Sequence, residues 1–561
     1  MMGGERLDIS VRNVFIHRHS MKPVECAQYV PSAPVLSNAF CEKSGQVRNS
    51  RESAASYLAT PLTKLHRDRR QLDCASETDS GRFRAVPRRY YVRTYGCQMN
   101  LHDSEKVENL LHHAGWRAAS GLADADLLLI NTCSIREKAE HRLASDLGAL
   151  REWRNGASGR ALGVGGCVAQ QKGDELLRRF PQLDFVFGTH NLRRVPELAE
   201  AAGAGVRHAE TSESRSLERF DLPERHPALP ARTPGRAWLT VMEGCDLFCS
   251  FCIVPYTRGR EISRPAAAIL AEARSLAASG VRELTLLGQT VNAYGRHGLH
   301  RAAAPEAHSV PFARLLRELD AVPGVARLRY TSPHPLFFDD ALVRAHAEVA
   351  SLQPHVHLPL QSGSDRILAR MRRRYDVAHY LGLVAQLRSA RPDLVLTTDL
   401  IVGFPGETRA DFENTLRIVR EVGFVDSYSF KYSARPGTAA AALEERVRPE
   451  EAQDRLEELQ ALQRGLTLAY HQSRVGESAE VLVEGPSRKA DALADTPLRQ
   501  LQGRDAYHRV VNFRAPADLA AGSLVRVRLV EATPHSLLAE LPGVQPRAPS
   551  ADEIERPASP A

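Results

Sequence analysis

A chain of 561 residues is too long for one ordinary domain and leaves room for about three or four. With 43% hydrophobic and 25% charged residues it has a globular composition, and no apolar run approaches the ~18 residues of a membrane span, so no membrane-spanning helix is expected. The formal net charge of +7 is a mild basic bias, compatible with a polyanionic partner without specifying one. The nine cysteines are odd in number, and six of them fall in two ligand-like sets. That placement argues against a disulfide framework and for metal-binding thiolates in a reducing cytoplasm.

Residues 1–88 carry no sustained periodicity and are expected to be a disordered leader. They lack the apolar core of a secretory signal, and Glu5, Asp8, Glu25 and Glu42 do not suit an acid-poor mitochondrial presequence. Cys26, Cys41 and Cys74 lie there without partners at ligand spacing and read as incidental thiols.

From 89 to 205 the pattern is regular. The runs "RYYVRTYG", "ADLLLINT", "ALGVGG" and "LDFVFGT" are strand candidates. They alternate with helical stretches at Ser104–Ala114, Ile135–Trp153 and Asp174–Phe180 and in "LRRVPELAEAA". The alternation predicts a doubly wound parallel sheet. Cys97, Cys133 and Cys167 directly follow the first, second and third strands, each in a Gly- or Asn-containing turn. In a parallel sheet those strand ends share one edge, where ligands bind. Buried core cysteines are the plain alternative, but a core position falls anywhere along a strand, and three at one edge favour a shared metal site. Three ligands leave a coordination position open, which suits a reactive centre.

The segment 231–465 opens with "AWLTVMEG" and then "CDLFCSFC", which sets Cys245, Cys249 and Cys252 in a C-x3-C-x2-C loop. Structural zinc prefers four protein ligands, so three thiolates with no near fourth point to a [4Fe–4S] cluster with one open iron. Further strand candidates are "RELTLLG", "ARLRYTS", "HVHLPLQ", "LVLTTDLIVGF" and "SYSFKYS", with helical stretches between them. With the opening strand they predict a partial (β/α)6 barrel rather than a complete eight-unit one. Polar and glycine-rich turns gather after the strands, among them Gly288-Gln289, Ser332-Pro333-His334, Gln361-Ser362-Gly363 and Gly403 to Glu407. As a set they favour a cofactor site at that edge.

The segment 472–542 changes pattern. "SAEVLVEG", "HRVVNF" and "SLVRVRLVEA" alternate apolar and polar residues and predict a small antiparallel barrel. Arg488, Lys489, Arg504, His508, Arg509, Arg526 and Arg528, with Tyr507 and Phe513, suit an RNA backbone and a stacked base as well as they suit a solvated charged face. Residues 543–561 read as a disordered tail.

The motifs "TYGCQMN", "NTCSIREKAE", "GVGGCVAQ", "MEGCDLFCSFCIVPYTRGRE" and "DLIVGFPGET" resemble those of the tRNA-2-methylthio-N6-dimethylallyladenosine synthases, in the methylthiotransferase branch of the radical S-adenosylmethionine superfamily. The resemblance covers about residues 89–545. The leader falls outside it, the loop around His297–Ser309 looks enlarged, and "RKADALADTPLRQ" matches loosely. It implies a methylthiotransferase domain, a partial-barrel radical core and a TRAM RNA-binding domain. It implies two [4Fe–4S] clusters, one on Cys245, Cys249 and Cys252 that binds S-adenosylmethionine and an auxiliary one on Cys97, Cys133 and Cys167. It also implies reductive cleavage of S-adenosylmethionine to a 5′-deoxyadenosyl radical and methylthiolation of N6-(dimethylallyl)adenosine at position 37 of the tRNA anticodon loop. Gln289, Asn292, Gln361, Ser362 and Glu407 are the candidate contacts to S-adenosylmethionine.

The implied partners are tRNA, an electron donor and a sulfur source. A membrane is not among them, and a monomer is expected. The rival readings are the same chemistry on a threonylcarbamoyl-modified adenosine or on a ribosomal-protein aspartate, and a non-catalytic iron–sulfur RNA-binding or redox-sensing protein. The residues around Cys97 and Cys133 favour the dimethylallyl substrate.

Overall fold

The computed structural model describes residues 88–134, 137–157, 159–229, 231–296, 311–487 and 498–543. The leader to Pro87 with its three cysteines, the 297–310 loop, Arg488 and Lys489, and the tail beyond Gly543 lie outside the described residues.

The apolar runs of the first segment become parallel strands. These are β1 (Arg89–Tyr95), β2 (Arg117–Ala118), β3 (Leu127–Thr132), β4 (Ala161–Gly166), β5 (Phe185–Phe187) and β6 (His208–Glu210), in the order β2-β1-β3-β4-β5-β6. Helices α1 (Gln98–His113), α2 (Glu137–Asn155), α3 (Cys167–Arg179) and α4 (Val195–Gly203) cover both faces. The side-chain period of two explains the layering. Leu127 and Leu129 pack with Val107, Leu111 and Leu198 of α1 and α4. Leu128 and Ile130 pack with Leu143, Leu147 and Leu176 of α2 and α3 on the other face. Burial on both faces is why β3 reads as an unbroken apolar run.

The second segment places β7 (Arg236–Thr240), β10 (Glu283–Leu287) and β11 (Arg327–Tyr330) in one parallel sheet. A second parallel sheet holds β12 (His355–His357), β13 (Val395–Val402) and β14 (Asp426–Lys431). A parallel bridge at Leu328 and Leu352 links the two, so six strands form a partial barrel. The expected single strand "AWLTVMEG" divides. β7 ends at Thr240, and β8 (Met242–Glu243) leaves the main sheet to pair antiparallel with β9 (Ile262–Ser263). Helices α5 (Val254–Thr257), α6 (Ala266–Ala278), α7 (Phe312–Asp320), α8 (Asp340–Glu348), α9 (Asp365–Arg370), α10 (Val377–Ala390) and α11 (Arg409–Val422) follow the strands. Leu239, Leu284, Leu328, Val356 and Leu396 point outward to this helical layer. The alternate strand positions point inward and are largely polar.

The long helix α12 (Pro449–Ser473) leads into a closed barrel of β15 (Ser478–Pro486), β16 (Leu498–Arg504), β17 (Val510–Pro516), β18 (Leu524–Ala532) and β19 (Leu537–Glu540). Its β17–β19 pairing is parallel and the others are antiparallel. Two expectations for this barrel change. Phe513 is only 2% exposed and sits with Val511 and Ala515 in the barrel core, so it cannot stack on a base. His508 and Arg509 turn toward the radical-core barrel instead of an open RNA face, and the Arg504 side chain pairs with Glu484 of its own barrel at 3.1 Å. Arg327 donates to the Arg504 carbonyl at 3.0 Å, and Arg329 donates to the Asp505 and Ala506 carbonyls at 2.8 and 2.9 Å. His508 stacks on His355 with ring centroids 5.7 Å apart, and Arg509 donates to Asp426 at 2.9 Å.

These partners lie at the amino ends of the core strands, so the turn from Asp505 to Arg509 closes that end of the partial barrel. Beneath it the fully buried Glu283 pairs with Arg236 and Arg329, each at 3.1 Å. Burial alone would push the Glu283 carboxyl up, but the surrounding guanidinium charges hold it below the usual range. Arg526 and Arg528 share an exposed face of β18, as the spacing of two predicts.

Candidate active site

Cys97 immediately precedes α1, Cys133 follows β3, and Cys167 opens α3. The parallel sheet brings these strand ends to one edge, and close backbone approach draws them together. Gly96 has φ +146°, and a Cβ there would lie 2.6 Å from the Cys133 Cβ. Gly166 has φ +92°, and its Cβ would collide with Asn131 Oδ1. Only glycine tolerates both the conformation and the crowding. Asn100 and Asn131 stitch the turns. Asn100 Nδ2 donates to Asn131 Oδ1 at 3.1 Å, Asn131 Nδ2 donates to the Asn100 carbonyl at 2.8 Å, and the Cys97 thiol donates to Asn100 Oδ1 at 3.3 Å.

The three thiols line one cavity of about 360 Å³. The adjacent Cys133 thiol, the Arg258 guanidinium and backbone amides opening α1 hold the Cys97 thiol down to about 6, against burial. Burial pushes the Cys167 thiol up, and the Arg258 charge opposes it. Arg258 is itself only 2% exposed and donates to Asp103 Oδ2 at 2.6 Å, while its Nη1 has no partner among the described residues. Among the described residues no group of His, Cys, Asp or Glu closes around a position for a single metal ion. Three thiols that line one cavity with the buried Arg258 cation beside them suit an anionic [4Fe–4S] cluster, which binds its thiolates on separate corners.

The second trio occupies the loop between β8 and α5. Phe248, between Cys245 and Cys249, takes a left-handed conformation with φ +49°, which tightens the loop. Cys245 Sγ lies 3.2 Å from Thr290 Oγ1, and the Cys252 amide donates to the Cys249 carbonyl at 3.0 Å. Burial pushes the Cys245 thiol up and the Cys252 thiol to about 12, so both resist ionisation unless a metal replaces the proton. The buried Arg373 donates to Cys249 Sγ at 3.4 Å and to Tyr375 Oη at 3.1 Å. That contact strengthens when the sulfur is anionic.

The candidate cofactor contacts divide by position. Gln289 Oε1 accepts from the Gly244 amide, and its buried Nε2 has no partner among the described residues. Gln289 lines the same cavity as Cys97, Cys133 and Cys167, so it joins the two trios. Gln361 has φ +73° and donates its amide to the Asp399 carbonyl at 2.8 Å, which turns the chain at the end of β12. The buried Ser362 Oγ accepts from the Ser364 amide at 3.2 Å. Asn292 bonds both the carbonyl and the amide of His334, at 3.0 and 2.8 Å. Glu407 accepts from the Gly403 amide and from Arg455, both at 2.7 Å. The side chains of Asn292 and Glu407 brace loops in this state, and Gln289 is the one with a buried donor to spare. Asn100, Asp103, Arg258 and Arg373 are additions that spacing did not single out.

Residues 89–188 match the family described as "Uncharacterized protein family UPF0004", residues 239–419 the radical SAM superfamily, and residues 472–541 the TRAM domain. The chain is 48% identical over 451 residues to the tRNA-2-methylthio-N(6)-dimethylallyladenosine synthase of Geobacter metallireducens, across 80% of this chain and 98% of that relative. The chain belongs to that family. A synthase of the same name from Geotalea uraniireducens is 45% identical over 452 residues, with 80% and 98% covered. Among solved structures, the radical S-adenosylmethionine methyltransferase TsrM from Kitasatospora setae aligns with a TM-score of 0.47 at 15% identity, over 64% of this chain and 74% of that one. Membership in the radical SAM superfamily implies a [4Fe–4S] cluster and S-adenosylmethionine. No helix among the described residues is long and apolar enough to cross a membrane.

Proposed function

We propose that this chain replaces the hydrogen on carbon 2 of N6-(dimethylallyl)adenosine, in the tRNA anticodon loop, with a methylthio group, and that it does so in the cytoplasm. The observation that carries the reading is the single cavity lined by Cys97, Cys133, Cys167 and Gln289, the last tied to the loop of the second trio. Cys245, Cys249 and Cys252 would hold the cluster that binds S-adenosylmethionine, and Cys97, Cys133 and Cys167 would hold the auxiliary cluster. When bound, these groups supply the one-electron and sulfur chemistry that an unactivated ring C–H requires, which acid–base side chains do not.

The chain's own residues place the parts. Arg373 steadies Cys249, Arg258 sets a fixed positive charge beside Cys97 and Cys167, and Gln289 offers Nε2 to a ligand in the cavity. The turn from Asp505 to Arg509 covers the far end of the barrel. The target base must leave its stack to enter, which an anticodon loop permits at lower cost than a duplex. Arg526 and Arg528 are the exposed cations on β18 for the RNA backbone. An external reductant and a sulfur donor complete the partners.

Expression of the full chain in a bacterial strain that lacks its own methylthiotransferase tests the reading. Mass spectrometry of digested tRNA is expected to show N6-(dimethylallyl)adenosine converted to its 2-methylthio derivative. Conversion of the threonylcarbamoyl nucleoside instead, or of neither, would overturn the substrate assignment.

A further inference from the structure

The cavity that begins at the auxiliary trio ends against β14, where Asp426, Tyr428 and Phe430 alternate onto its wall. Ser427 and Ser429 turn the other way, toward Gln460 and Gln463 of α12. Tyr428 is 53% exposed and Phe430 is 40% exposed, although both rings line a concavity. Two open aromatic rings in a recess have apolar surface still to cover.

The charges around them narrow what can cover it. Each cavity arginine is already paired: Arg236 with Glu283 and Glu484 at 3.1 and 2.6 Å, Arg329 with Glu283 at 3.1 Å, Arg509 with Asp426 at 2.9 Å, and Arg258 with Asp103 at 2.6 Å. Burial lowers the ring pKa of His355 and His508 well below the usual range, so both stay neutral. The carboxylate of Asp399 sits opposite Tyr428 in the β13–β14 register and lies 3.3 Å from His357 Nε2. The His357 ring meets Tyr428 edge-on at 5.9 Å. An anionic group placed here would meet Asp399 with no unpaired arginine to offset it, whereas an uncharged branched hydrocarbon would cover both rings.

We propose that Tyr428 and Phe430 are specificity-determining residues that receive an apolar N6 substituent of the target adenosine, and that Asp399 turns away N6 substituents bearing a carboxylate. The proposal rests on the tRNA reading above and deepens it. A hydrophobic pocket discriminates about tenfold or more per methylene-sized group, and a dimethylallyl group is larger than one methylene.

The test is equilibrium binding of anticodon stem-loop RNAs to the cluster-loaded full chain without reductant. The loops carry unmodified, N6-dimethylallyl or N6-threonylcarbamoyl adenosine. Wild-type protein is expected to prefer the dimethylallyl loop over each of the others by about tenfold or more. Tyr428→Ser with Phe430→Ser should bring the dimethylallyl-to-unmodified ratio to within about twofold, and Tyr428→Phe should keep it. Asp399→Asn should raise affinity for the threonylcarbamoyl loop selectively. A Ser/Ser variant with the wild-type ratio overturns the proposal. So does wild-type protein that binds the three loops equally, even where the tRNA reading stands. Failure to bind any loop overturns both.

Discussion

Alanine at Cys97, Cys133 and Cys167 together is expected to abolish methylthio transfer while sparing reductive cleavage of S-adenosylmethionine. Each trio holds its own cluster in this account, so the triple variant should retain about four iron atoms per chain after anaerobic reconstitution. The second trio has its own supports, Thr290 beside Cys245 and Arg373 on Cys249, and none of them runs through the first trio. Iron analysis and 5′-deoxyadenosine release, measured on the same preparation, check both halves of the expectation. Complete loss of iron would refute two independent sites. Retained transfer would remove the auxiliary site from the reaction.

The second large effect is expected at Arg258. Arg258 and Asp103 are 2% and 1% exposed, so alanine at Arg258 strands a buried carboxylate. Removing one partner of a buried pair costs about 3–5 kcal/mol, far above the median for surface pairs. Arg258→Ala should therefore lower the melting temperature sharply. The double change Asp103→Leu with Arg258→Met should recover much of the loss, because it removes both charges at similar volume. Arg258→Lys keeps the charge without the planar fork and should fall between. The same cation helps hold the Cys97 thiol down, so in cluster-free Arg258→Met/Asp103→Leu protein the alkylation of Cys97 should shift to higher pH. A melting temperature unmoved by Arg258→Ala would show that the pair does not support this edge of the sheet.

The parallel architecture was legible because its causes are local. β3 and β4 are buried along their whole length and so read as apolar runs, and the first three cysteines stand at turns that glycine or asparagine marks. The convergence of Cys97, Cys133 and Cys167 followed from topology alone. What remained hidden depends on distant partners. Arg258 reaches Asp103 across 155 positions and Arg373 reaches Cys249 across 124, so no spacing announces either contact. Arg258 lies within the motif "MEGCDLFCSFCIVPYTRGRE" without its role showing there, and Arg373 lies in no motif singled out from the sequence.

The last domain shows the same limit from the other side. Basic residues in a small barrel suggest RNA, yet His508 and Arg509 face the neighbouring barrel, where His355 and Asp426 meet them, and the Arg504 side chain pairs with Glu484. Phe513 follows the inward period of β17, set by Val511 and Ala515, which the exposed-aromatic reading overlooked. β16 escaped notice because Gln500, Gln502 and Arg504 flank Leu501 and Gly503, leaving little apolar alternation to detect. Tyr428 and Phe430 lay within a recognised strand, but only the cavity distinguishes an inward aromatic from a core one.

The most direct measurement is iron stoichiometry with Mössbauer spectroscopy on the wild-type chain, reconstituted without oxygen. Two cysteine trios predict about eight iron atoms per chain, all in [4Fe–4S] clusters. About four iron atoms in a single cluster, or a bound zinc ion at the Cys97, Cys133 and Cys167 edge, would contradict the account.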